Sequence, residues 1–152
     1  MRLKPRCAGV CYPKSEKEAL AFFRQWFDQP GTPAWSPNPG SDSQIEGLLL
    51  PHIDYRVTQK AYGWGYDKFQ TAPIAETYLI LGVGHKSQQE WSMDTRAYAT
   101  PFGEISCASD LVQDLAKEIP FPLLEDSKSH EGEHSIEFPV VALAGIRKLM
   151  GI

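Results

Sequence analysis

Two continuous apolar runs, Gly47-Leu48-Leu49-Leu50 and Thr77-Tyr78-Leu79-Ile80-Leu81, have the length and the unbroken hydrophobicity of strands buried on both faces. Between them, Thr58 stands where a helix cap belongs, ahead of Ala61, Tyr62, Trp64 and Gly65, so the segment predicts strand, helix, strand. Upstream, Ala19, Phe22, Phe23 and Trp26 recur at helical spacing behind a Ser15/Glu18 capping box, which predicts a helix running to about Phe27 and stopped by Pro30-Gly31. Residues 29–44, rich in Pro, Gly, Ser and Asn, read as a surface loop, with Trp35 as its anchor. Downstream, Thr95 to Tyr98 alternates as a short strand and Thr100-Pro101-Phe102-Gly103 is a turn by composition. Ser109 or Asp110 caps a helix that buries Leu111, Val112, Leu115 and Ala116 and ends before Pro120 and Pro122. A last helix is expected from Ile136 to Met150, with Ser135 as its cap and Pro139 in its first turn. The pattern describes one α/β domain over residues 1–152, a mostly parallel sheet flanked by helices.

The chemistry gathers at the histidines. His52 and His85 each follow a predicted strand, where open α/β sheets place their ligand sites. His134 lies within, and His130 just before, an acidic cluster, Glu131-Gly132-Glu133-His134-Ser135-Ile136-Glu137, at the start of the last helix. There the helix dipole and free amides favour an anion or a metal-bound oxygen. Imidazole is both a common metal ligand and the usual acid/base near neutral pH. We therefore expect His52, His85 and His134 to converge in one site and His130 to lie outside it.

Composition narrows the class. With 42% apolar and 22% charged residues the chain is ordinary for a globular domain. A net charge of −4 without a basic stripe excludes nucleic acid as an expected partner. The basic start, Met1 to Arg6, is not followed by the apolar stretch of a signal peptide, and no run is long enough to span a bilayer, so no membrane association and a cytoplasmic location are expected. Cys7, Cys11 and Cys107 show no metal-ribbon spacing and read as reduced thiols.

Five motifs in order resemble the Memo-like family, also called AmmeMemoRadiSam system protein B, which shares its fold with class III extradiol ring-cleaving dioxygenases. Ala8-Gly9-Val10-Cys11-Tyr12-Pro13 resembles the family's Ala-Gly-x-Phe-Tyr-Pro, with Cys11 in place of Phe. Pro51-His52-Ile53-Asp54-Tyr55 resembles its Pro-His-x-x-Tyr, Leu79 to His85 its strand ending in Gly-x-x-His, Thr100 to Gly103 its Thr-Pro-Leu-Gly, and Glu133 to Glu137 its Glu-His-Ser-Ile/Leu-Glu. The resemblance implies a metal-competent pocket lined by His52 and His85, with His134 opposite as acid/base beside Glu133 and Ser135. Tyr55, Ser87 and Glu137 are the expected substrate-side residues. The family's third metal-proximal residue, a cysteine, lies in a C-terminal half with no counterpart here, so the chain reads as truncated and its sheet edge as open. Fe(II) is the expected metal, with Asp54 as a third ligand and Glu133 and Glu137 as rival donors.

Two functions follow as expectations. One is a non-heme iron oxidoreductase, dioxygenase-like, acting on a small molecule. The other is a non-catalytic binding or scaffold protein that uses the same pocket for a peptide or partner enzyme; an inactive fragment conditions both. Expected partners are a small molecule or peptide in the pocket, a radical-enzyme partner, or a second chain over the open edge.

Overall fold

The computed structural model describes residues 2–41 and 45–152; the end of the expected 29–44 loop therefore lies outside the described residues. The elements in order are β1 (Arg2–Leu3), α1 (Glu16–Arg24), α2 (Gln59–Asp67), β2 (Ala97–Thr100), β3 (Gly103–Ile105), α3 (Ser109–Glu118) and α4 (His134–Leu149). β1 pairs parallel with β2, and β2 antiparallel with β3, so the sheet is mixed and has three strands. The fold class is α/β, with helices flanking this sheet.

Local signals account for the helix starts and turns. Ser15 caps α1, its side chain accepting from the Glu18 amide, and a 3₁₀ turn over Gln25–Asp28 continues the helix to where the Pro-Gly stop takes effect. In the β2–β3 hairpin the Thr100 hydroxyl donates to Gly103 O at 2.8 Å, and Gly103 sits at φ 111°, a conformation that favours glycine. Trp35 packs on Phe27 with ring centroids 4.8 Å apart, anchoring its loop as expected.

α4 begins two residues earlier than its sequence suggests. Glu133 rather than Ser135 is the cap, accepting from the Ser135 amide at 3.0 Å. Pro139 therefore falls in the second turn, where its missing N–H leaves the Ser135 carbonyl without its helical donor. α3 likewise starts at Ser109 itself, with Ala108 at the cap position and no side-chain bond.

The core is aromatic. Phe23, Trp26, Tyr55, Tyr62, Tyr66 and Phe138 interlock, with Trp26 stacked on Tyr62 at 5.1 Å and Tyr55 against Phe138 at 4.8 Å. These contacts bind α1, α2 and α4 into one layer beneath the histidine loops.

The two expected buried strands differ most from expectation. Residues 47–50 and 77–81 join no ladder among the described residues, and Leu49, Leu79 and Leu81 are 97%, 71% and 74% exposed. A strand exists only with a neighbour to take its N–H and C=O groups, and an apolar run specifies burial without supplying that neighbour. His52 and His85 thus follow irregular segments rather than sheet strands. No helix among the described residues is long and apolar enough to cross a membrane.

Candidate metal centre

Three loops deliver three imidazoles to one place. His52 follows Pro51, and the Tyr62 hydroxyl from α2 lies 2.9 Å from the Pro51 carbonyl and 2.6 Å from that of Ile53, so its single proton steadies the backbone on both sides of His52. His85 ends the Gly82-Val83-Gly84 stretch, which lies directly on the start of α4. A Cβ at Gly82 would come 2.5 Å from Ser135 Oγ and 2.6 Å from Ile136 Cδ1, so glycine is what allows this approach. His134 is the first residue of α4.

Each histidine offers a nitrogen, and the three lie within 4.8 Å of one another. The His85 and His134 rings stack at 4.5 Å and 25°, and His52 stands 5.4 and 5.5 Å from them. The convergence expected from sequence holds, and His130 is outside the cluster.

Glu133 organises the site from behind. Its Oε1 lies 2.8 Å from His85 Nδ1, its Oε2 accepts from the His85 amide at 3.1 Å, and Oε1 also accepts from the Ser135 hydroxyl at 2.7 Å. Ser135 Oγ in turn accepts from the Val83 amide at 2.8 Å, tying α4 to the His85 loop. Glu133 is 5% exposed. Desolvation pushes its pKa up, but the hydrogen bonds from Ser135 and His85 outweigh this and bring it down to about 2, so the carboxylate is charged. An ionised acceptor at Nδ1 assigns that nitrogen's proton and leaves Nε2 of His85 as the donor to a metal.

The other expected site residues lie elsewhere. Asp54 is not part of the cluster; its carboxylate is held by Arg56 Nη2 at 2.5 Å, and that hydrogen bonding, against a smaller desolvation effect, lowers its pKa to about 2. The carboxylate is engaged by Arg56 two residues on, and the third member of the cluster is His134. Tyr55 is fully buried and donates to Phe138 O at 2.5 Å. Glu137 is likewise fully buried, accepting from the Arg6 amide at 2.8 Å, the Cys7 amide at 2.8 Å and the Tyr12 hydroxyl at 2.6 Å. It fastens the N-terminal segment to α4 with no oxygen facing a substrate. Ser87 bonds Asp126 Oδ2 at 2.8 Å, away from the imidazoles. Tyr62 stands in the sequence as one residue of the helix expected after Thr58, and nothing local signals that its hydroxyl reaches the His52 loop.

Three imidazoles backed by a buried carboxylate on an α/β scaffold define a histidine-cluster protein. The chain belongs to the Memo-like family, whose model, described as Memo-like protein, matches residues 3–152. It is 29% identical over 141 residues to a MEMO1 family protein of Thermus thermophilus, covering 92% of this chain and 41% of that protein. Against a MEMO1 family protein of Aquifex aeolicus it is 28% identical over 142 residues, covering 92% and 35%. For one of Sulfurisphaera tokodaii the figures are 30% over 142 residues, 90% and 49%. The chain thus spans about half or less of the length of these relatives. No solved structure matches it.

Proposed function

We propose that His52, His85 and His134 hold one divalent first-row transition metal, and that the chain is part of a metal-dependent oxidoreductase acting on a small molecule. The supporting observation is the approach of three imidazole nitrogens to within 4.8 Å. Three protein ligands with positions left open are the donor set of a catalytic rather than a structural site, and imidazole suits iron, copper, zinc and nickel alike. Among these Fe(II) fits the oxidoreductase reading, supplying Lewis acidity and one-electron chemistry with dioxygen when bound.

The chain's own residues do the rest. Glu133 fixes the tautomer and orientation of His85 and places a negative charge behind an otherwise neutral donor set. Ser135 locks Glu133, and Tyr62 holds the His52 loop. His134 supplies the third imidazole of the donor set.

Metal content and oxygen uptake after anaerobic Fe(II) reconstitution test this. Loss of metal in His134→Ala is expected; retained metal with lost turnover would make His134 an acid/base and overturn the three-histidine site. Stoichiometric metal with no uptake on any small phenol supports a second reading, a binding protein that lays a peptide across the site. That reading is favoured by the 38% and 39% exposure of the His85 and His134 side chains. No metal bound by the wild type refutes the proposal.

A further inference from the structure

A cavity of about 550 Å³ lies beside the histidine cluster, and none of the three clustered histidines lines it. Its walls are apolar, formed by Leu79, Leu81, Leu115, Phe121, Leu123 and Ile136. Polar groups line it too, Glu90 and Glu133 among them, and at one part of the wall Ser92, Ser129 and His130 meet. Ser92 Oγ lies 3.1 Å from His130 Nε2 and 3.3 Å from Ser129 Oγ.

We propose that Ser92 and His130 form a second centre, a nucleophile and its general base, that hydrolyses carboxylic esters with an apolar acyl or aryl group held in this cavity. A hydroxyl within hydrogen-bond reach of an imidazole, opening on an apolar pocket, is the minimum arrangement for acyl transfer. The Ser129 hydroxyl donates to Asp126 O at 2.7 Å, so its oxygen only accepts. The single proton of Ser92 therefore divides between His130 Nε2 and Ser129 Oγ. The amides of Trp91 and Ser92 donate to no partner among the described residues.

The step balances without a co-reactant other than water. Ser92 Oγ bonds to the carbonyl carbon as its proton passes to His130 Nε2, and the carbonyl electron pair moves to oxygen. Collapse breaks the bond to the alcohol oxygen, which takes the proton from His130 and departs. Water, giving a proton to His130, then adds to the acyl-serine; Ser92 leaves with that proton and the carboxylic acid is released.

Wild-type chain treated with an alkyl fluorophosphonate is expected to carry one adduct, mapped by mass spectrometry to Ser92, and to hydrolyse p-nitrophenyl butyrate. Ser92→Ala abolishes both, and His130→Ala slows hydrolysis about 100-fold or more. Ser129→Ala, which removes the competing acceptor of the Ser92 proton, is expected to raise the rate. Chelation of metals changes none of these, so failure here and failure of the metal proposal are separate results. An adduct elsewhere, no adduct at all, or hydrolysis that survives Ser92→Ala overturns the proposal, and the labelling of wild type decides even where a variant fails to fold.

Discussion

His85 Nδ1 and Glu133 Oε1 lie 2.8 Å apart, and the same carboxylate caps α4 and binds the Ser135 hydroxyl. One buried acid therefore sets the orientation of His85 and the start of the helix that carries His134. Glu133→Gln keeps the volume but removes the charge and one acceptor oxygen. It is expected to weaken metal affinity about 10- to 100-fold, the usual effect of losing such a partner. Competition against a chelator of known affinity measures it; unchanged affinity would contradict the organising role.

The same carboxylate gives the metal-free protein an acid limb. Its folded pKa of about 2 is below the ordinary 4.5, so its stabilising effect is complete above pH 4.5 and is lost as the pH falls toward 2. The shift corresponds to a contribution on the order of 3 kcal/mol at neutral pH. Urea unfolding between pH 2 and 6 should show a drop in wild type that is flattened in Glu133→Gln.

Glu137 is a structural acid. Removing it leaves the Arg6 and Cys7 amides and the Tyr12 hydroxyl without their acceptor. Glu137→Ala should destabilise the fold by about 3 kcal/mol or more, read by chemical denaturation. The fraction that stays folded is expected to bind metal normally.

Tyr62→Phe removes the proton that bridges the Pro51 and Ile53 carbonyls while keeping the ring stacked on Trp26. Stability is expected to fall by about 1 kcal/mol. Metal affinity should drop several-fold because His52 loses its anchor, and calorimetric titration separates the two effects.

Much of the site was legible because its signals are local. A histidine after each apolar run and a cluster at a helix start identified His52, His85 and His134, and the Ser15/Glu18 pair fixed α1. Where the sequence misled, the deciding partner is distant in the chain or nonexistent among the described residues. Residues 47–50 and 77–81 carry strand hydrophobicity without a strand beside them. Asp54 has a ligand's chemistry, but Arg56 two positions on claims it. Glu137 sits in the same motif as His134, yet it shares the buried face of α4 with Val141 one turn on, and the partners that claim it, Arg6, Cys7 and Tyr12, lie at the far end of the chain.

The central claim is that three histidines, and not two with Asp54, make the metal site. Its most direct test is the dissociation constant for Zn²⁺ or anaerobic Fe²⁺ in wild type, His52→Ala, His85→Ala, His134→Ala and Asp54→Asn, with each fold checked by circular dichroism. Each histidine variant is expected to lose well over tenfold in affinity, while Asp54→Asn binds as wild type does. Wild-type affinity in His134→Ala, or its loss in Asp54→Asn, would contradict the account.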